Sequence, residues 1–432
     1  MDLLTDKNIP FGPKEASEVE EGPQALSNIL NLFHQYGDIY KIYSERRNNY
    51  TYVISDPEMV KHVLITNNRN YEKGVGIDRV KILLGNGIMV SEGNYWKRQR
   101  RMIQPAFHKR VIAKLTDDIA QANETMLSNW LTGNKEINLT AELSSVTLRI
   151  VLQALFSVDF QQLEKREGVN PFALLTEVHE RNLVFAMKFR ALAKTIQEII
   201  NLRRKEHRVE EDFLSMIMEA KNDEGQGMSD REIIDEMMTL IVAGHETTAS
   251  ALTWAWYLLH KHPEVYARAK QEALQVRNVH LGFHHLEQLP YIRQVIEETM
   301  RLYPPGWLLT RRAMQDDVIG GYHVPPKTDI FISPYVIHRH PGYWEQPDLF
   351  NPERFDASYR RERHRFEYFP FSGGPRQCIG DFFALVEMQL HLALILRTTD
   401  MEILVDEPIS MEAQINLRPD KPLFARLINP RN

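Results

Sequence analysis

The segment Phe371-Ser372-Gly373-Gly374-Pro375-Arg376-Gln377-Cys378-Ile379-Gly380 carries the only cysteine of a 432-residue chain. An apolar stretch with helical character, Phe382 to Leu396, follows it, so Cys378 is expected close to a helix N-terminus. Amide N–H groups and the positive end of a helix dipole favour thiolate over thiol, and the thiolate is the form that ligates metal or attacks substrate. Gly373, Gly374 and Gly380 keep side chains out of the way, so a large flat ligand can approach the backbone, and Arg376 is placed to meet an anionic group on it. A lone cysteine is most often a small buried hydrophobe. Here, however, Phe-x-x-Gly-x-Arg-x-Cys-x-Gly fixes five positions, and average residue usage makes a chance match roughly a one-in-ten-thousand event in such a chain.

Working outward, a single cysteine excludes an internal disulfide, an iron–sulfur cluster and a cysteine-rich zinc site, and it points to a cytoplasmic protein. The first 22 residues hold Pro10, Pro13 and acidic residues from Glu15 to Glu21, without the basic and apolar runs of a signal peptide. No segment offers the roughly 18 to 20 uninterrupted apolar residues of a membrane span, so no membrane anchor is expected. A net charge of −6 and a pI near 6.3 give no basic excess, which sets nucleic acid aside as a partner. Length and a hydrophobic fraction of 43% suit an ordered globular protein, and no repeat or linker marks a cut, so residues 1–432 read as one mainly helical unit with small sheets.

Periodicity predicts a helix over Gln24–Tyr36, ended by Gly37, then two strands, Asp38–Tyr43 and Tyr50–Ser55, around a polar loop. Helical patterns continue to Arg397, interrupted by short strands in Gly320–Pro334 and by coil from Pro341 to Pro375, and the tail from Met401 is strand-like. Ser229 and Glu232 form a capping-box signature for a helix running to about His260, roughly 45 to 50 Å long. Within it, Ala243-Gly244-His245-Glu246-Thr247-Thr248 weakens the helix, and a local loosening is expected there. By residue type alone this is a notch that lets a neighbouring helix approach.

Glu298 and Arg301, in Glu-Thr-Met-Arg before Pro304-Pro305, sit three apart on one helix face and suit an ion pair. Trp96 and Arg100 lie four apart, again on one face. The cysteine segment, together with Glu298/Arg301, Pro352-Glu353-Arg354-Phe355 and the Ala-Gly-x-Glu-Thr-Thr segment, resembles the cytochromes P-450 over nearly the whole chain. The resemblance implies an α+β fold, mainly α, with a haem between the long helix and the cysteine loop. It implies Cys378 as the axial iron ligand, Phe371 shielding its sulfur, and Gly374, Arg376 and Gly380 shaping the haem contact. Trp96 and Arg100 are the implied propionate partners, with Arg312 beside them and Arg311 as the alternative to Arg312. Glu298, Arg301 and Arg354 are implied to form a buried structural network.

The same resemblance makes the long-helix notch an oxygen-activating segment. Ala243 and Gly244 leave room for dioxygen, Thr247 hydrogen-bonds its outer atom and Glu246 links to a proton supply, while the thiolate favours O–O cleavage. His245, pointing elsewhere by about a third of a turn, takes no role. The implied activity is monooxygenation of a lipophilic fatty acid, terpenoid or polyketide, with haem b and O2, and electrons ultimately from NAD(P)H. A chain this short without cluster cysteines needs a separate partner, a ferredoxin or flavodoxin, for which Lys97, Arg98, Arg101, Lys109, Arg110 and the Arg360–Arg365 cluster offer a basic face. Ile241, Val242, Gly306, Trp307, Leu308 and Ile415 are the implied substrate contacts. The alternatives are a peroxide-dependent or rearranging haem-thiolate enzyme and, from another class, a non-catalytic haem- or lipid-binding protein.

Overall fold

A computed structural model describes residues 8–19, 22, 24–133, 136–165, 171–177, 183–276, 280–360, 363–405 and 407–428. Glu20 and Glu21 of the acidic lead-in and Arg361 of the basic cluster lie outside the described residues. The chain forms two compact units, one from Met1–Gly76, Gln294–Cys378 and Pro408–Lys421, the other from Ile77–Arg293, Ile379–Glu407 and Pro422–Asn432. No linker is visible in the sequence because each unit is assembled from separated segments.

The first unit is built on a five-stranded sheet in the order Ile39–Ser44, Asn49–Ile54, Asp329–Ile332, Leu309–Ala313 and Tyr71–Lys73. The N-terminal hairpin pairs Ile39 with Ile54, close to the sequence expectation, and Thr51 pairs in parallel with Asp329. Successive strand residues face opposite sides. Thus Tyr52, Ile54, Ile330 and Ile332 pack with Val60, Val63, Leu64 and Phe366, while Val53 and Phe331 pack with Trp307 and with Leu26, Ile29 and Phe33 of the Ala25–Tyr36 helix. Burial of each such side chain stabilises the unit by roughly 1.5–3 kcal/mol. Four strands were not foreseen from sequence: Tyr71–Lys73 and Glu136–Asn138, each too short to show a period, and Leu309–Ala313 and Asp317–Ile319, whose arginine and aspartate content hides the alternation. The Asp317–Ile319 strand turns into Tyr322–Val324 through Gly320 and Gly321, both at positive φ, as the tight two-residue hairpin turn requires.

The second unit is helical, with a three-stranded sheet in the order Glu136–Asn138, Phe424–Ile428 and Asp400–Leu404. Its long helix spans Asp230–Lys261, and the capping box is formed: Ser229 Oγ accepts from the Glu232 amide, and Glu232 Oε2 accepts from the Ser229 amide at 2.8 Å. A second helix, Leu139–Lys165, packs along it. Within that helix Leu139–Glu164 is long and apolar enough to cross a membrane, but 67% of its most apolar window is buried inside the protein. It is interrupted by polar positions, and Ser144 Oγ lies 2.9 Å from His245 Nε2 of the long helix.

Candidate active site

The cysteine loop is a series of small hydrogen-bonded turns. The Cys378 amide donates to Phe371 O (2.9 Å), the Gln377 amide to Gly374 O (3.1 Å) and the Ser372 amide to Phe369 O (2.9 Å). Gly374 has φ +69°, and a Cβ there would overlap the Leu64 carbonyl oxygen, while one on Gly373 would lie 2.6 Å from the Phe366 ring. Only glycines let the loop settle this closely on the His62–Thr66 turn. Arg365 Nη2 donates to Gln377 Oε1 at 2.8 Å, which ties down the near side of the loop. Cys378 is exposed, Phe371 and Arg376 are partly exposed, and the Asp381–Thr398 helix begins three residues later, where it was expected. Gly380, its N-cap residue, has only the Phe107 ring near its Cβ direction, at 3.7 Å.

Behind the loop lies the buried network. Glu298 and Arg301, both at 0% exposure, pair through two bonds of 2.7 and 2.8 Å. Arg301 spends its remaining donors on the carbonyls of His338 (2.7 Å), Pro347 (2.6 Å) and Leu349 (3.1 Å), and the Asn351 amide donates to Glu298 Oε1. Arg354 Nε lies 3.4 Å from Glu298 and its Nη2 donates to Gln346 O. The Glu298–Arg301 pair, with every guanidinium donor used, is the kind of buried charge that a core tolerates. The network gathers backbone groups of residues 338–351, upstream of the cysteine loop, on to one helix, Pro290–Leu302.

In the second unit the long helix is buried from Ile233 to Ile241 and again from Thr248 to Leu259. Between these stretches only His245 is buried, and Val242, Ala243, Gly244, Glu246 and Thr247 open a window in the middle of the helix. The expected loosening is absent: helical geometry continues through the window. Thr247 Oγ1 donates to Ala243 O at 2.8 Å and Thr248 Oγ1 to Gly244 O at 3.2 Å, so the hydroxyls lean on the helix without opening it. Gly244 itself is the packing notch, since a Cβ there would lie 2.9 Å from Val151 of the neighbouring helix. Ala243 and Thr247, four apart, share the open side.

A feature that sequence reading missed lies just upstream. The Asn86 amide donates to Asp235 and the Ile88 amide to Glu236, both at 2.8 Å, while Gln99 Nε2 donates to the other Glu236 oxygen at 3.2 Å. Two successive carboxylates of the long helix thus hold the loop that leads into the Gly93–Ile103 helix. Burial raises the Glu236 carboxyl to about 7, against the opposing pull of the two N–H donors.

The cytochrome P450 family model matches residues 15–426. The chain belongs to the cytochrome P450 family. Cyclooctatin synthase of Streptomyces melanosporofaciens is 35% identical over 80% of this chain and 79% of its own length. The carotene epsilon-monooxygenase of Arabidopsis thaliana chloroplasts is 30% identical over 98% and 86%. The crystal structure of the cytochrome P450DA heme domain superposes with a TM-score of 0.86 over 98% of both chains at 24% identity, which establishes the fold. The α+β expectation is met. As a member of this family the protein is a haem-dependent monooxygenase using O2 and electrons from a redox partner.

The donor chemistry of this P450 fits a haem. One exposed sulfur, its own amide anchored, stands on a glycine-shaped loop, and among the described residues no cluster of three or more His, Cys, Asp or Glu side chains could hold a metal ion without the porphyrin's nitrogens. Trp96 is buried and Arg100 partly exposed on the Gly93–Ile103 helix of the second unit. In the first unit, Arg311 and Arg312 fall on opposite faces of their strand. Arg312 is engaged by Asp329 through two bonds of 2.9 and 3.1 Å, whereas Arg311 is buried and donates to Thr310 O. The pairing with Asp329 makes Arg312 part of the sheet's own charge balance, a partner that sequence reading did not assign.

The expected substrate contacts separate. Trp307 is a core residue of the first unit, 2% exposed, with its indole N–H donating to Gln414 O at 2.8 Å, which staples the chain there. Ile241 is fully buried within the second unit. Val242, Gly306 and Leu308 are partly exposed, and Ile415 is 69% exposed at the tip of the Met411–Ala413/Leu417–Pro419 hairpin. The basic face expected for the redox partner also thins out. Arg98 is fixed by Glu232 (2.6 Å) and Gly227 O, and Arg363 donates to Arg354 O and lies over Trp344 and Phe355. Arg101 pairs with Asp223 while both stay exposed, and Lys97, Lys109 and Arg110 are exposed.

Proposed function

We propose that this P450 inserts one atom of O2 into a lipophilic terpenoid, by hydroxylation or epoxidation, with haem b held by Cys378. The exposed Cys378 on its anchored loop carries this reading, because a sulfur just before a helix start is suited to remain a thiolate. The terpenoid class is supported by the relatives named cyclooctatin synthase, cyclooctat-9-en-7-ol 5-monooxygenase and pentalenene oxygenase. Haem supplies the oxidising chemistry when bound. Phe371 shields the sulfur, and Gly374, Arg376 and Gly380 shape its side of the pocket. Trp96, Arg100 and either Arg311 or Arg312 hold the propionates.

The chain's own contribution to proton handling centres on Thr247. Its hydroxyl proton is committed to Ala243 O, so Oγ1 presents lone pairs and accepts a proton donor from the oxygen side. Glu246, partly exposed in the same window, relays protons from solvent. Ala243 keeps its side of the long helix slim, and Ile241, Val242, Gly306, Trp307, Leu308 and Ile415 are the proposed substrate contacts. Electrons pass from NAD(P)H through a separate ferredoxin or flavodoxin that docks on Lys97, Arg101, Lys109 and Arg110.

The test is spectroscopic and then chemical. Reduced, carbonyl-treated protein should show the red-shifted band of thiolate-ligated haem, and Cys378→Ala should abolish it. Diterpene and sesquiterpene alcohols and olefins should shift the haem spin state where fatty acids of equal length do not, and isotope from labelled O2 should enter the product. A spin shift with fatty acids alone would overturn the substrate class, and a wild-type protein with imidazole-ligated or no haem would overturn the whole reading.

A further inference from the structure

His338 occupies an unusual junction in the first unit. It is fully buried, immediately after the short Pro334–Ile337 helix. Its carbonyl oxygen accepts Arg301 Nη1 at 2.7 Å, so the Glu298–Arg301 pair fixes its backbone. Its ring Nε2 accepts the Phe369 amide at 3.0 Å. Phe369 is the residue whose carbonyl receives the Ser372 amide, and this turn delivers Phe371, whose carbonyl receives the Cys378 amide. A continuous path of hydrogen bonds and short backbone links therefore runs from the buried ion pair to the cysteine through one imidazole.

The surroundings hold that imidazole in one chemical form. Because Nε2 accepts, the proton resides on Nδ1. Burial, reinforced by the guanidinium groups of Arg301 and Arg339, lowers the His338 pKa well below its ordinary value and keeps the ring neutral. Its plane lies against Tyr368 at 5.2 Å and meets Phe369 edge-on at 5.5 Å, and Tyr368 in turn donates to Glu297 O on the Glu298 helix. Two aromatic neighbours orient the ring, and its one acceptor is aimed at a single amide.

We propose that His338 is a positioning residue for the thiolate: its Nε2 fixes the Phe369 amide, and through the following turn it sets the Phe371 carbonyl that holds the Cys378 N–H. The inference rests on Cys378 as the axial ligand. It predicts that loss of the acceptor at Nε2 frees the loop and lets the sulfur leave the iron or become protonated, without loss of the fold.

The experiment uses the haem-loaded, full-length protein in four forms: wild type, His338→Gln, His338→Asn and His338→Leu. The Gln amide oxygen reaches the Nε2 position, whereas Asn is too short and Leu has no acceptor. In the reduced carbonyl complex, Leu and Asn variants should convert from the red-shifted thiolate band to the blue-shifted thiolate-free band roughly tenfold faster or more, the effect of one orphaned buried amide. The Gln variant should stay within about twofold of wild type. Hydrogen exchange should show the Phe369 and Cys378 amides losing protection together in Asn and Leu but not in Gln. Equal conversion rates in all four forms, or Gln behaving as Leu does, would overturn the proposal, as would exchange at Phe369 that leaves Cys378 protected. A Leu variant that fails to fold leaves the Gln–Asn comparison to decide. Absence of a thiolate band in wild type would instead sink the Cys378 assignment, so the two failures are distinct.

Discussion

Gly374 rests against Leu64 so closely, at φ +69°, that any side chain would drive its Cβ into the Leu64 carbonyl oxygen. The strain of a left-handed residue costs about 1–3 kcal/mol, and overlap with backbone adds to it. Gly374→Ala should therefore lower stability by about 3 kcal/mol or more and reduce haem retention. Urea unfolding with parallel haem quantification measures both, and an unchanged midpoint would contradict the close approach.

Glu298 and Arg301 are buried without solvent, so removing one partner leaves the other charge stranded. Arg301→Met should destabilise by about 3–5 kcal/mol. Arg354→Ala should cost less, because Arg354 lies further from Glu298 and its side chain is 13% exposed. Denaturant midpoints for the two variants, taken with the double variant, will give the ordering; equal losses would show that the three residues act as one unit.

Glu236 gives stability a slope against pH. Its folded pKa, about 7, lies above the ordinary glutamate value of 4.5, so the protonated form is the one that folding favours. That contribution is fully present below about 4.5 and fades as pH rises through about 7, reaching on the order of 3 kcal/mol. Glu236→Gln should flatten this part of the pH–stability curve and be relatively more stable above pH 7. Parallel curves for the two proteins would remove Glu236 as the cause.

Thr247→Ala removes the lone pairs offered from the long-helix window. Product formation should fall, by roughly 10²-fold if Thr247 supplies ordinary proton-relay assistance, while electron consumption continues and peroxide accumulates. Thr247→Ser should largely restore coupling. A fully coupled alanine variant, judged by product formed per reduced nicotinamide oxidised, would rule out this role.

Much of this molecule was legible because some signals are local. Ser229 and Glu232 are three residues apart and found each other; Glu298 and Arg301 did likewise; the cysteine loop announced its turns through glycine. What escaped was held by contacts between distant positions. Nothing near Asp235 and Glu236 hints that they accept amides from residues 86 and 88, about 150 positions earlier. The side chains of His338 and Trp307 matter through one ring nitrogen each, which no pattern encodes. The Arg311/Arg312 ambiguity has the same origin: neighbouring strand residues face opposite ways, so a one-residue shift exchanges their environments.

The bond from Trp307 to Gln414 also bears on how the protein is made. One compact unit takes its final strands from Met411–Pro419, and the other takes Phe424–Ile428, which pairs with Glu136–Asn138 and Asp400–Leu404. Until Phe424–Ile428 is made, Glu136–Asn138 and Asp400–Leu404 lack the strand that joins them, so stops placed between the cysteine and Phe424 should yield aggregates, not a smaller working enzyme.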